Sequence, residues 1–389
     1  MAQAEVARDF LPARLFLVWL TGDLMIYFPA AVRAVAAEIA GSHRNVIKSI
    51  SDAVFIALPK AELHVHLEGS IAPLTLVELA ARHGVALTQQ DTAPRYAPGT
   101  FDQFIQNFIW ITSFLRGPED YALIARRFAE SLQRQNVLYA EVTLSIGVMF
   151  RRNQDPAANF AALRDAAAEV PGVQLKYIFD AVRQWGASAA MEVARIAAEL
   201  RSPDIIAYGI GGDELGLPTI DLRPVYEFVA SRGMHRLIHA GEIGGPEIVR
   251  ESIELLGAER IGHGIGVMRD ERTMDFVAAR NVPLEVCPTS NLRTGALARQ
   301  TGRPTAGYDQ HPLLTFFRRG LPVTLSSDDP SMFETTVSDE YRHAQRMGFT
   351  PSEIIQLAEA SFHHSFLPAD EKRALLGKFH SGVAALGLL

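Results

Sequence analysis

Cysteine is almost absent from this 389-residue sequence, since Cys287 is the only one. A single cysteine cannot form an internal disulfide, and it cannot build a zinc site from paired thiolates. Any metal ion must therefore be held by histidine, aspartate or glutamate side chains. Low cysteine usage is also typical of reducing compartments, so we expect a cytoplasmic protein.

An excess of basic residues is also missing. The sequence has 37 lysines and arginines against 44 aspartates and glutamates, which gives a formal charge of −7. Nucleic-acid-binding surfaces usually carry a basic stripe, so we expect no nucleic-acid partner. The apolar content of 48% is high enough for the chain to bury a large core.

Long apolar runs are scarce, and the clearest one is Leu15–Val32, LFLVWLTGDLMIYFPAAV. It has about the minimum length of a membrane span, and Asp23 and Pro29 interrupt it. A signal peptide is an alternative, although Asp23 also breaks that pattern and leaves export a minor possibility. We favour a helical extension, or an upstream start, and expect no membrane association. The predicted division is an extension at residues 1–53 and one domain at residues 54–389.

Short runs rich in β-branched residues alternate with segments of helical periodicity along the rest of the chain. The predicted strands are Glu62–His66, Val137–Leu144, Val173–Asp180, Ile205–Ile210, His235–His239, Arg260–His263, Val282–Cys287 and Leu321–Ser326. Eight strand–helix units predict a closed (β/α)8 TIM barrel with parallel strands. The alternative is an open doubly wound sheet, but GIGGDE and GHGIG lack the spacing of its glycine-rich phosphate turn.

The connection between the first two predicted strands, from Gly69 to Asn136, is unusually long. Long loops after barrel strands commonly form lids or substrate walls, so we expect a helical lid insertion here. Its segment FDQFIQNFIWITSFL is rich in aromatic residues. We predict that most of these side chains pack against the barrel and do not contact a ligand directly.

Two histidines, His64 and His66, lie one residue apart in the first predicted strand. Residues i and i+2 of a strand share a face, so both imidazoles point the same way. Burying both costs desolvation free energy unless something pairs with them. This stretch alone leaves two interpretations open, a metal site and a pair of hydrogen-bonded core histidines.

Further ionisable residues follow three later strands. His239 and Glu242 follow the fifth strand in HAGE, and His263 ends the sixth in RIGHG. Asp328 and Asp329 follow the eighth strand in SSDDP. Because the chemistry of TIM barrels lies at the C-terminal ends of the strands, we expect these groups to meet the histidine pair on one rim.

Six motifs give the sequence a family resemblance: PKAELHVHLEGS, GIGGDE, HAGE, RIGHG, EVCPTSN and SSDDP. Their order and spacing resemble those of the adenosine deaminase family of metal-dependent amidohydrolases. The resemblance extends from about Leu58 to the C-terminus. Singly, H-x-H or D-D-P is weak evidence, whereas six motifs in order at the predicted strand ends are specific. The resemblance implies a metal-dependent hydrolase.

The resemblance implies one Zn²⁺ ion per chain, bound by His64, His66, His239 and Asp328. Imidazole and carboxylate groups suit Zn²⁺, and a catalytic zinc site keeps one position open for water. Zinc lowers the pKa of such a water from about 15.7 toward about 7, which makes hydroxide available at neutral pH.

The resemblance also implies two catalytic residues that are not ligands. His263 corresponds to a base and electrostatic guide beside the attacking water. Glu242 corresponds to the proton donor to purine N1, with a pKa raised by burial; the alternative is a hydrogen-bond partner of His239. Ser290 and Asn291 are expected to fasten the loop after the seventh strand.

Four residues are expected to contact the substrate. The resemblance places Asp329 on purine N7 and the Gly212 N–H on N3, where a missing Cβ allows close approach. His66 is predicted to touch both metal and substrate. Glu68 stands where adenosine deaminases typically have an aspartate that contacts the ribose 5′-hydroxyl.

The predicted function is zinc-dependent hydrolytic deamination of a 6-aminopurine nucleoside, adenosine or a 5′-modified adenosine, to the 6-oxo product and ammonia. Because Glu68 departs from the usual aspartate, two alternatives are a 6-aminodeoxyfutalosine deaminase of menaquinone biosynthesis and an adenine deaminase. An amide, ester or other ring as substrate is disfavoured by the purine contacts. A non-catalytic binding protein is disfavoured because every expected ligand and the acid are present.

Overall fold

The computed structural model describes residues 49–388. The apolar stretch Leu15–Val32 and nearly all of the extension predicted at residues 1–53 lie outside the described residues. Within the described part, no helix is both long and apolar enough to cross a bilayer. The first described helix, Asp52–Ala57, spans the predicted boundary between the extension and the domain.

Eight parallel strands form the centre of the described molecule, and each pairs with the next one along the chain. They are β1 (Lys60–His66), β2 (Val137–Leu144), β3 (Gln174–Val182), β4 (Ile205–Gly211), β5 (His235–Ala240), β6 (Arg260–His263), β7 (Leu284–Val286) and β8 (Val323–Leu325). The segment after β8 closes the barrel by pairing with β1. The Asp328 N–H donates to the His64 carbonyl (3.1 Å), and the His66 N–H donates to the Asp328 carbonyl (2.8 Å). The predicted (β/α)8 TIM barrel is confirmed.

Helices follow every strand and cover the outside of the barrel. They are α1 (Asp52–Ala57), α2 (Pro73–Arg82), α3 (Gln89–Thr92), α4 (Phe101–Thr112), α5 (Pro118–Arg134), α6 (Ile146–Arg151), α7 (Pro156–Ala168), α8 (Gly186–Leu200), α9 (Arg223–Ser231), α10 (Pro246–Leu256), α11 (Glu271–Arg280), α12 (Pro288–Arg293), α13 (Ala296–Thr301), α14 (Leu313–Arg318), α15 (Val337–Arg346), α16 (Pro351–His363) and α17 (Ala369–Ala385). In α5, for example, Tyr121, Ile124 and Phe128 are buried. Residues three and four apart share a helix face, so one apolar stripe packs inward.

Strands β7 and β8 are each three residues long, shorter than the predicted runs Val282–Cys287 and Leu321–Ser326. Pro283 and Pro322 directly precede them, and proline has no N–H to donate to a strand ladder. Cys287 lies beyond the end of β7 because helix α12 begins at the next residue. Its side chain is fully buried there.

The predicted lid insertion between β1 and β2 is present as helices α2 to α5. Helix α4 begins with a capping box in which Thr100 and Gln103 each accept a hydrogen bond from the other's N–H. At its other end, the Arg152 guanidinium donates to the carbonyls of Ile109 (3.1 Å) and Thr112. The C-terminal end of α4 is thereby tied to the segment that follows β2.

Candidate active site

A cavity opens at the C-terminal ends of the strands, beside helix α4. Its polar lining consists of His66, Asp180, Gly211, Gly212, His239, Glu242, His263, Asp328 and Asp329. The rest of its lining is mostly apolar and consists of Phe101, Phe104, Ile105, Phe108, Ile109, Ser145, Val148, Val182, Gln184 and Trp185. The structure therefore brings the predicted site residues together at one cavity, except that His64 and Glu68 lie behind its wall.

Three of the four predicted metal ligands, His64, His239 and Asp328, form a group of possible metal ligands together with His263. The fourth, His66, lies in a second group with Asp328 and Asp329. The Nε2 atoms of His64 and His66 each lie 3.4 Å from Asp328 Oδ1, and His66 Nε2 lies 3.3 Å from His239 Nε2. His64 Nε2 is buried and has no hydrogen-bond partner. An unpartnered buried nitrogen is costly, and a bound cation would remove that cost. The donor set of imidazole nitrogens and a carboxylate oxygen thus fits a divalent metal ion such as Zn²⁺.

The other ring nitrogens of two of these histidines are held by acceptors. His64 Nδ1 lies 2.8 Å from Glu285 Oε2, and His239 Nδ1 lies 3.1 Å from the Ile210 carbonyl. An acceptor at Nδ1 places the proton there and leaves the Nε2 lone pair free. The imidazoles of His64 and His239 are therefore oriented with Nε2 directed toward the other predicted metal ligands.

Two site residues have left-handed backbone conformations, with φ of 66° at Asp328 and 61° at His263. Aspartate and histidine tolerate this region better than β-branched residues do, but it still costs free energy. The turn at Asp328 also lets Ser290 donate a 2.6 Å hydrogen bond to Asp328 Oδ2. A predicted ligand and a predicted catalytic residue are thus among the non-glycine residues of the described chain that adopt this conformation.

Glu242 is buried and lies 3.7 Å, through Oε2, from His263 Nε2. Burial, together with the negative charge of Asp328, raises the pKa of Glu242 well above its usual range. Glu214 fixes the loop that carries it, because its carboxylate accepts the N–H groups of Gly241 (2.7 Å), Glu242 (2.7 Å) and Ile243 (2.9 Å). Only the final glutamate of GIGGDE points to this role in the sequence.

Asp329 directly follows the predicted metal ligand Asp328, and its Oδ1 is buried without a hydrogen-bond partner. Burial, and then the neighbouring Asp328 charge, raises the pKa of its carboxyl well above the usual range. Gly69 makes room for this side chain, since a Cβ there would lie 1.9 Å from Asp329 Oδ1. The glycine of HLEGS is therefore explained by the close approach of Asp329.

Gly212 lines the cavity directly after β4 and has a φ of 93°, which glycine adopts without strain. A Cβ at this position would also lie 2.4 Å from Gln184 Oε1. Gln184 Oε1 in turn accepts the Asp213 N–H (2.9 Å), which holds the loop in place. The backbone of Gly212 is therefore accessible from the cavity.

Glu68 is fully buried, and its Oε1 accepts the Ser145 N–H at 3.0 Å. Its Oε2 has no partner, and burial raises the pKa of the carboxyl to about 7. Ser145 lines the cavity, whereas Glu68 lies behind it. Contact between Glu68 and a substrate stays a prediction.

Asp180 is a cavity carboxyl that the sequence reasoning missed. It lies on β3, is buried, and its Oδ1 has no hydrogen-bond partner. Gly209 and Gly211 on β4 give it space, because Cβ atoms there would lie 2.9 Å and 3.2 Å from its carboxylate oxygens. Alternating glycines opposite a strand aspartate are the sequence signal that could have found it.

Helix α4 contacts the cavity more than we predict from its sequence. Phe101, Phe104, Ile105, Phe108 and Ile109 recur at helical spacing, and this face lines the cavity. Lining a cavity is not the same as contacting a ligand, so the absence of direct ligand contact for most of this segment stays a prediction. A hydrophobic period does not distinguish a helix face that packs on protein from one that covers a cavity.

The barrel and the His/Asp cluster at its C-terminal rim define a metal-dependent hydrolase of the amidohydrolase class. The family model described as adenosine deaminase matches residues 59–381. The chain belongs to the adenosine deaminase family, and it is an enzyme that hydrolytically deaminates aminopurine-type substrates.

Three comparisons illustrate these relationships. The chain is 38% identical over 341 residues to an aminodeoxyfutalosine deaminase of Streptomyces coelicolor, covering 85% of this chain and 86% of that protein. The crystal structure of an adenine deaminase from Arthrobacter aurescens matches with a TM-score of 0.78 and 28% identity, covering 84% and 99% of the two chains. A zinc-bound amidohydrolase from Burkholderia ambifaria shares the fold, with a TM-score of 0.79, 24% identity and coverage of 89% and 98%.

Proposed function

We propose that the enzyme deaminates a 6-aminopurine nucleoside with a large 5′ substituent, of the aminodeoxyfutalosine type, and releases ammonia. This proposal favours what the sequence analysis names as an alternative over plain adenosine. The observation that carries it is the apolar part of the cavity, formed by α4 and Trp185, which a bare base would not need. The similarity to an aminodeoxyfutalosine deaminase supports the same choice.

We propose one Zn²⁺ ion per chain, held by His64, His66, His239 and Asp328. When bound, zinc would supply a Lewis acid that lowers the pKa of a water molecule toward neutrality. Glu285 and the Ile210 carbonyl hold two of the imidazoles in the orientation that this ion requires.

Glu242 is the proposed proton donor. Attack on purine C6 moves electron density into the ring, and a proton at N1 stabilises the product of that attack. Burial raises the pKa of Glu242 well above its usual range, which favours the protonated carboxyl that a proton donor requires.

The cavity also has groups that can recognise a purine. Asp329, on one side of the metal-binding cluster, is the proposed hydrogen-bond partner of N7, and the Gly212 N–H is the proposed donor to N3. His66 lines the cavity and would contact the substrate next to the metal. On this arrangement the sugar points toward Ser145, with Glu68 behind it.

A substrate panel tests the proposal: aminodeoxyfutalosine, methylthioadenosine, adenosine and adenine, with ammonia release as the measurement. We expect kcat/KM to be highest for aminodeoxyfutalosine. Highest turnover of adenine, with none of the 5′-substituted nucleosides used, would instead assign the enzyme as an adenine deaminase.

The variant Glu242→Gln tests the proton donor. It should lower kcat by about 10²–10⁴-fold, because general acid–base catalysis is worth about that much. Metal content and product binding should stay at wild-type levels. The control is Glu251→Gln, an exposed glutamate on α10. If Glu242→Gln kept a tenth of the wild-type kcat, another group would have to be the donor.

A further inference from the structure

A chain of buried hydrogen bonds through His311 and Asn291, which we call the relay, reaches His263 from outside the cavity. The Leu313 N–H donates to His311 Nδ1 (3.2 Å), and His311 Nε2 lies 3.2 Å from Asn291 Oδ1. The Asn291 Nδ2 then lies 3.2 Å from His263 Nδ1. His311, Asn291 and His263 are all buried, and only His263 among them lines the cavity.

The direction of each bond follows from the first one. A backbone N–H can only donate, so His311 Nδ1 is an acceptor and carries no proton. Burial lowers the pKa of His311 to about 3, so the ring is neutral and its proton is on Nε2. His311 Nε2–H therefore donates to Asn291, which fixes the amide with its oxygen toward His311.

The hydrogen bond between Asn291 and His263 has a defined direction as well. With its oxygen facing His311, Asn291 presents its NH₂ group to His263 Nδ1, which must accept. A neutral His263 then has its proton on Nε2. That atom lies 3.7 Å from Glu242 Oε2 and 3.9 Å from Asp328 Oδ2, and both are oxygens that can accept.

We propose that Asn291 and His311 are positioning residues that hold His263 as the Nε2–H tautomer. In the reaction of the proposed function, on which this part rests, His263 then donates a hydrogen bond to the attacking oxygen and does not accept a proton at Nε2. A second proton on His263 would have to bind Nδ1, where it would face the N–H donor of Asn291. The role of hydrogen-bond donor thus replaces the role of base that the family resemblance implies for His263.

The tautomer itself can be measured in the zinc-loaded enzyme without any substrate. Long-range ¹H–¹⁵N spectra of protein labelled in its histidine rings distinguish protonated from unprotonated ring nitrogens, and His263→Gln identifies the signals of His263. We expect a protonated Nε2 and an unprotonated Nδ1. A proton on Nδ1 in the wild type would overturn the proposal, whatever the enzyme's substrate proves to be.

Variants of the relay connect the tautomer to catalysis. Asn291→Asp replaces the donor with a carboxylate, which should move the His263 proton to Nδ1 and lower kcat by about 10²–10⁴-fold. KM and zinc content should change little. His311→Ala should lower kcat as well, and His311→Gln, which can still donate to Asn291, should recover most of that loss.

Thr289→Ala is the matched control, since Thr289 lies on the same helix and its hydroxyl contacts Tyr308 instead of the relay. It should leave the His263 signals unchanged. If Asn291→Asp moved the proton but kept kcat within a factor of three, the proposed role would be wrong. If the wild type deaminated no aminopurine but showed the Nε2–H tautomer, the proposed function would fail and the assignment of the relay would stand.

Discussion

Glu285 connects the predicted metal ligand His64 to the interior of the barrel. One carboxylate oxygen contacts His64 Nδ1 (2.8 Å), and the other pairs with the Arg260 Nε (2.6 Å). Arg260 also pairs with Glu141, and its guanidinium lies 3.7 Å from the ring centre of Phe366. All the charged groups of this network are fully buried, so removing any one of them leaves another uncompensated.

The first prediction at the residue scale concerns metal affinity. Glu285→Gln keeps the shape of the side chain but removes the charge that faces His64 and Arg260. Loss of such a partner typically weakens metal binding by about 10–100-fold, and chelator competition measures it.

Glu340→Gln is the comparison variant, because Glu340 is equally buried but contacts Thr289 and Thr335 and no predicted ligand. Equal zinc affinities in Glu285→Gln and the wild type would show that Glu285 does not support the metal site.

Single residues also show where the sequence is informative. His64, His239 and Asp328 could be predicted because strand ends of a barrel meet at one rim, whatever the details of packing. The roles of Asn291 and His311 could not be predicted, because they depend on the exact rotation of α12 about its axis and on the conformation of the loop before α14. For Asp180 the sequence signal is the pair of alternating glycines in β4, which becomes informative once β3 and β4 are placed side by side.

At the scale of elements, helix α4 supplies an apolar wall of the cavity. The rings of Phe104 and Phe108 are tilted toward each other with centres 6.0 Å apart, and the ring centres of Phe104 and Phe333 are 5.0 Å apart. The face of α4 that lines the cavity therefore packs in part against Phe333. The sequence predicts the helix and its apolar period but not which part of that surface meets a ligand.

Phe108→Ala should lower kcat/KM for 5′-substituted nucleosides by about 10–200-fold, the range of one lost apolar contact, and leave adenine turnover close to that of the wild type. Trp110→Ala on the same helix is the control, since Trp110 contacts Arg95 and Phe114 and does not line the cavity. A parallel loss for all substrates would mean that Phe108 only supports the fold.

At the scale of the whole molecule, the predicted metal ligands come from β1, β5 and the segment that closes β8 onto β1. An ion held there would join parts of the chain that are about 260 residues apart in sequence, as His64 and Asp328 show. The strand order of the barrel was predictable from the strand–helix alternation. The short lengths of β7 and β8 were not, because the apolar runs that predicted these strands include the prolines that precede them.

Metal removal should therefore lower the thermal stability of the protein. A ligand that binds only the folded state at 1,000 times its Kd contributes about 4 kcal/mol, so a chelator should lower the Tm by several degrees. The same chelator should leave the Tm of Asp328→Ala unchanged, because that variant lacks a predicted ligand. If the chelator left the Tm of the wild type unchanged, metal binding would not stabilise the folded protein.

The burial of Cys287 has a practical consequence for following the motions of this barrel. Its thiol is fully buried beyond the end of β7, and burial raises its pKa well above the usual range. A thiol reagent can reach it only when this part of the barrel opens, so the labelling rate reports the frequency of opening events. Because the sequence has no other cysteine, the native chain provides this single-site probe of local unfolding without any mutation.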